Sequence, residues 1–404
     1  MPFALPTFAR RSRFAAAAAL SLLPALLACN RHRFPVYPAG YREYAYITDG
    51  ASGTVAVLDL VYLRADRVLQ VGRNPSGIAV NPRRNEVYAV NTGSDSVSVI
   101  DAAENRVTAT IGVHSKPYFI DVSTDGKRGY VANSGANTVS VLDLVAHREL
   151  AAAATGEGPG LAKVSPDNRT LVVTNRVSGS VSVYSLSDSP QHPIALRSAF
   201  PGCPGATDAV ILPDSSKAFI ACSDAHRVMA LWLAADPNEW RGRQDPDLTR
   251  DHLLTLLDVG STPAHLALKP DGGGGSVFAT NFNGDSITEI YAWTNEVAGT
   301  YVIGANPSRA LVGRDNSSLW VTNFGADTVS LYSIDDGKLI TAVRTGSHPD
   351  ALALSDDEHI LLVVNAGSGD VSVIRTQSKS GSPELVTMLP AGQQPNDIAV
   401  KKID

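Results

Sequence analysis

Tyr88-Ala89-Val90-Asn91, Tyr130-Val131-Ala132-Asn133, Val172-Val173-Thr174-Asn175, Phe278-Ala279-Thr280-Asn281, Trp320-Val321-Thr322-Asn323 and Leu362-Val363-Val364-Asn365 are six copies of one short apolar segment ending in asparagine. Looser copies stand at Tyr46-Ile47-Thr48-Asp49 and Phe219-Ile220-Ala221-Cys222. The first residues of the eight copies are separated by 42, 42, 42, 47, 59, 42 and 42 positions. Around each copy lie three further short patterns. A Pro-led segment such as Pro75 to Val80 precedes it, an alternating one such as Val97-Ser98-Val99-Ile100 follows, and a β-branched run such as Arg106 to Ile111 closes the unit. Period-two alternation bounded by Gly, Asn and Asp turns predicts antiparallel strands. Four strands in about 42 residues, repeated without intervening helices, predict a radial all-β array, an eight-bladed β-propeller. Seven blades would follow if the divergent copy at Phe219 were an insertion.

The two ends of the repeat point to how the ring closes. Pro395-Asn396-Asp397-Ile398-Ala399-Val400 has the pattern of a first strand with no blade after it, and the copy at Tyr46 lacks a first strand. Pairing the C-terminal strand with the first blade leaves no open sheet edge.

The recurring aromatic-Val-Thr/Ala-Asn unit, followed by Gly and Thr/Ser-Val-Ser-Val, resembles the YVTN family of β-propeller repeats over residues 41–404. That resemblance implies the fold. It leaves the activity open, because the family includes surface-layer proteins, periplasmic binders and the haem-binding propellers of certain nitrite reductases.

Upstream of the repeats, Arg10, Arg11 and Arg13 precede an apolar run from Phe14 to Ala28, long enough for an export signal and short for a membrane span. Leu26-Leu27-Ala28-Cys29 resembles a bacterial lipobox. The reading is a signal peptide over 1–28, a tether over 29–40 whose Cys29 carries lipid, and the propeller over 41–404. Loss of residues 1–28 removes three arginines and no acids, taking the formal charge from −6 to −9. Acyl chains would hold such a protein on a leaflet. Asn30 in place of Asp favours, by resemblance to Gram-negative lipoproteins, the outer membrane, facing the periplasm or the cell surface. The acidic balance, with 6% aromatic residues, argues against a nucleic-acid partner.

With Cys29 lipidated, Cys203 and Cys222 remain as an even pair in an exported chain and are expected to form a disulfide. The repeated asparagines, and Asp95, Asp285 and Asp327 after them, are read as turn formers rather than as a calcium row, since no calcium-loop run occurs. Asn at a strand end is expected to accept a left-handed backbone or to bond nearby backbone groups.

Function should lie where the copies differ. The residues two past the turn proline read Gly77, Phe119, Leu161, Thr207 (aligned through Gly205), His265, Arg309, Ala351 and Asp397; those one past it include Tyr118 and Asp350. His265, Arg309, Asp350 and Asp397 therefore form a candidate ligand-binding sector at one mouth of the axial channel, opposite a small or apolar half. His265 is expected to add pH dependence between about 5 and 8. Ala234 to His252 is an inserted charged loop on the opposite side, and Trp240, Arg241 and Arg243 form a candidate partner contact. No metal or catalytic residue is assigned and no cofactor is called for: CxxC, CxxCH and GxSxG motifs are absent. The leading reading is a lipid-anchored, monomeric, non-enzymatic binder of an envelope protein, a glycan or a small polar ligand. Its rivals are a lactonase-like hydrolase with a metal at the mouth and a carrier of non-covalent d-type haem.

Overall fold

The repeat places its four strands per copy into eight four-stranded antiparallel sheets. The computed structural model describes residues 35, 37–234, 246–269, 275–377 and 381–403. In the second blade the strands run Pro75–Val80, Glu86–Asn91, Ser96–Asp101 and Arg106–Gly112, from the axis outward. The innermost strands neighbour one another in unbroken succession around the axis. The ring closes as the orphan strand predicts. Pro395–Ile403 pairs antiparallel with Arg42–Asp49, the register running from Arg42 opposite Ile403 to Asp49 opposite Pro395.

The apolar positions of the alternating strands pack between blades. Tyr46, Val55 and Val57 of the first blade meet Ile78, Val87 and Ala89 of the second, and equivalent clusters fill the gaps that follow. The second and third strands of each blade are almost wholly buried, whereas outermost strands such as Arg106–Gly112 alternate exposed and half-buried. Burying both faces of each sheet, one against each neighbouring blade, supplies the main stabilisation, and closure removes both sheet edges.

The asparagines are architectural, by a route different from the one expected. None of the six is among the residues with positive φ; that role falls to Asp95, Asn137, Asp285 and Asp327 in the next turn. Each Asn is instead buried, and its amide donates to two side chains of the adjoining strand. Asn91 Nδ2 reaches Ser96 Oγ at 3.1 Å and Ser98 Oγ at 3.0 Å, and Asn281 repeats this with Ser286 and Thr288. A connector glycine lies so close that a Cβ at Gly72, Gly156, Gly260, Gly304 or Gly346 would fall 2.4–2.8 Å from the Asn side chain. The aspartates latch the following connector: Asp95 Oδ1 accepts from Lys116 N, and Asp327 Oδ1 from His348 N, both at 2.9 Å. In the fifth blade Cys222 takes the Asn place and is bonded to Cys203, with Cα atoms 4.8 Å apart. The expected disulfide is present.

Candidate functional site

A β-bulge near the start of each innermost strand turns side chains toward the mouth of the channel. In the sixth blade Pro263 pairs with Asn281 and His265 with Thr280, one residue being skipped. Thr280 Oγ1 accepts the His265 amide at 3.1 Å, and Thr322 Oγ1 the Arg309 amide at 3.0 Å, so the bulge leaves no amide orphaned at these two positions.

The register corrects one alignment made on sequence. In the fifth blade Ala206 lies opposite Cys222 and Ala209 opposite Ile220. Asp208, not Thr207, therefore holds the position of His265 and Arg309. The fifth blade has Ala206 where the others have proline, so the sequence carries no proline to mark the register there.

His265, Arg309 and Asp350 come together as expected, joined by Asp208 and Lys163, and line a cavity of about 430 Å³ at the mouth. Tyr118, Phe119, Leu161 and Phe282 supply its apolar wall. Asp397 is not in that lining. It is 7% exposed and both its oxygens are engaged, Oδ2 by Ile78 N of the second blade at 3.1 Å and Oδ1 by Ile398 N at 3.0 Å.

Three polar side chains in this region are also inter-blade clasps. Asp208 Oδ2 accepts from Leu266 N at 2.8 Å, Asp121 Oδ2 from Val164 N at 2.9 Å, and His265 Nδ1 from Ala310 N at 3.4 Å. A backbone N–H donating to Nδ1 leaves the proton of a neutral ring on Nε2, which faces Asp208 Oδ2 at 3.7 Å. Burial pushes His265 down to about 4, more than Asp208 raises it, with Arg309 and Lys163 adding to the fall. The titration expected near neutrality is thus absent: His265 is a neutral imidazole at pH 7.

Lys163 Nζ is paired to Asp121 Oδ1 at 3.2 Å. Arg309 differs. Burial works against its charge, and Asp397, Asp350 and Asp208 outweigh that cost, yet among the described residues none accepts a hydrogen bond from its guanidinium. Asp350 likewise has no hydrogen-bonded partner among them, and burial raises its carboxyl while Arg309 lowers it. A cation and a carboxylate with open hydrogen-bonding capacity thus stand in one half-buried cavity. Among the described residues no group of three or more His, Cys, Asp or Glu side chains is placed to hold a metal ion. Trp240, Arg241 and Arg243 lie outside the described residues.

The profile of the family described as lactonase, 7-bladed beta-propeller, matches residues 294–400, roughly a quarter of the chain. The matched stretch contains Arg309, Asp350 and Asp397. The likeness elsewhere is one of fold. No curated protein matches the chain in sequence. Among solved structures, the dihydro-heme d1 dehydrogenase NirN superposes with a TM-score of 0.72 at 14% identity, over 92% of this chain and 77% of that one. AztD from Citrobacter koseri gives 0.63 at 12% identity, over 90% and 98%. The periplasmic gluconolactonase of Pseudomonas aeruginosa gives 0.57 at 16%, over 89% and 98%.

Proposed function

We propose that the protein is a lipid-anchored propeller of the cell envelope that binds a small polyhydroxylated acid, of the sugar-acid class, in the mouth cavity. The observation that carries this is the pair Arg309 and Asp350, both with open hydrogen-bonding capacity and both lining a pocket walled by Phe119, Leu161 and Phe282. A guanidinium offers five donors to carboxylate or hydroxyl oxygens. Asp350 accepts from a ligand hydroxyl, while Asp208, whose two oxygens already take the Leu266 and Ala209 amides, contributes charge that offsets Arg309, so that a bare inorganic anion gains little. An apolar wall facing a few convergent polar groups is the usual build of a small-ligand site. The test is thermal-shift titration with gluconate. Binding raises the melting temperature of wild type and leaves Arg309→Ala unmoved; an equal shift in both removes Arg309 from the site.

Lactone hydrolysis is the second reading, favoured by the lactonase profile over the stretch that contains both residues. Asp350, as carboxylate, would take a proton from water while the oxygen attacks the ring carbonyl. Arg309 would stabilise the oxyanion, and the proton on Asp350 would pass to the ring oxygen as the C–O bond breaks. Asp350→Asn would then abolish hydrolysis of glucono-lactone while gluconate still binds. Wild type with no hydrolysis above the buffer rate leaves the binder.

A further inference from the structure

The face opposite the cavity carries a feature that the ring does not require. Each third strand turns into the outermost strand on that face. In the second and seventh blades the turn tips are Ala103-Glu104 and Asp335-Asp336. In the first, third and sixth they present Tyr62, 71% exposed, Val145, 65% exposed, and Trp293, 69% exposed. These three blades are spread around the ring, so the tips define a plane rather than one patch.

The tips are held rigidly. Lys217, reaching across from the fifth blade, donates to Ala292 O at 3.0 Å, Trp293 O at 2.8 Å and Asn295 Oδ1 at 3.1 Å, and its ammonium lies 5.6 Å from the Trp293 ring centroid. Asp59 Oδ1 accepts from Val61 N and Tyr62 N, and the Arg64 guanidinium lies 5.0 Å from the Tyr62 ring centroid. Asp143 Oδ1 accepts from Val145 N and Ala146 N. A rigid turn aiming a large apolar side chain into water costs solvation and contributes nothing to the core.

The propeller chain also enters on this face. Arg42 pairs with Ile403 at the end of the first blade remote from the mouth, and Tyr41 precedes it. Twelve residues separate Cys29 from Tyr41, counting Cys29, and span at most about 40 Å when fully extended.

We propose that Tyr62, Val145 and Trp293 rest on the lipid surface to which Cys29 is anchored, so that the cavity at the opposite mouth opens away from the membrane. This rests on the lipid anchor and is independent of what the cavity binds. An aromatic ring backed by a cation suits the headgroup level of a bilayer, where indole and phenol rings concentrate. On this face Glu104 pairs with Arg106, Asp143 with Arg148 and Asp336 with Lys338, so acidic and basic side chains are mixed. The contact is therefore apolar rather than a response to anionic lipid, and it adds to a lipid anchor without replacing it.

The test uses lipidated full-length protein in vesicles of phosphatidylethanolamine and phosphatidylglycerol, with and without lipids brominated on the acyl chain near the headgroup. Tryptophan emission should be quenched by the brominated lipid, and Trp293→Phe should remove roughly half of that quenching or more. The melting curve should stay unchanged, since the side chain is exposed. Floating protein with no quenching overturns the docking and leaves the anchor standing. Quenching unchanged in Trp293→Phe also overturns it. Trp293 shielded from aqueous acrylamide yet untouched by brominated lipid overturns it in favour of a protein partner. Protein that does not float and is not quenched overturns anchor and docking together.

Discussion

Replacing Asp49 with asparagine should stabilise the ring, and increasingly so as pH rises. Asp49 stands where six other blades have the buried asparagine, at the end of the Arg42–Asp49 strand on which the C-terminal strand closes the ring. It is fully buried; Thr54 Oγ1 donates to Oδ2 at 3.1 Å, and Oδ1 has no partner. Burial raises its carboxyl from 3.8 to about 7, the hydrogen bond from Thr54 recovering only part. Below pH 3.8 the group is neutral in both folded and unfolded chains and costs nothing. Between there and about 7 the unfolded chain ionises while the folded one does not, and stability falls. Above that the full penalty persists. A shift of this size has a ceiling of about 4 kcal/mol, and relaxation around the site should reduce it to about 1–3 kcal/mol. The amide introduced by Asp49→Asn would be neutral throughout and could bond Thr54 as Asn91 bonds Ser96. Melting curves at pH 4, 6 and 8 should therefore show Asp49→Asn matching wild type at the lowest pH and exceeding it by roughly 2–6 °C at the highest. A constant difference across pH, or a loss at pH 8, would refute the assignment of that penalty to Asp49.

The disulfide closes a loop with a sequence separation of 19, so Cys203→Ser with Cys222→Ser should cost about 3 kcal/mol, read as a lower denaturant midpoint in matched unfolding curves. Deleting residues 395–404 removes the partner of Arg42–Asp49 and the Asp397–Ile78 clasp. Cooperative unfolding of the whole propeller should be lost or shifted down by many degrees, and a melt within a few degrees of wild type would mean the ring is held elsewhere. Cys29→Ser should release the protein from washed membranes, whereas wild type stays and carries lipid on mass analysis.

Periodicity carried most of the fold. The interval of 42, the aromatic-to-Asn segment and the strand left over at Pro395 together specify eight blades and their closure, because in a closed radial array each unit must satisfy the same neighbours. What the repeated residues do was legible only in part. Asn91 and its counterparts read equally well as turn formers or as buried amides, and the choice depends on Gly72, nineteen residues earlier, leaving room for the side chain. The positions where the copies diverge bring out His265, Arg309 and Asp350, all three of which line the mouth cavity. Asp208 was missed because a bulge and a missing proline hide its register. Asp397 stands in the same register position as Asp208 and clasps the next blade in the same way, so its alignment with the divergent positions marks both a charge beside Arg309 and an inter-blade contact. Trp293 and Tyr62 are single residues in turns of fixed length, and no periodicity marks a side chain as exposed on purpose.

The most direct test of the account is a crystal of the propeller soaked with gluconate. The ligand is expected in the mouth cavity, with its carboxylate on the Arg309 guanidinium, a hydroxyl donating to Asp350, and its carbon chain against Phe119 and Phe282. Gluconate seated on the opposite face, or a cavity that stays empty under conditions where gluconate stabilises the protein in solution, would contradict it.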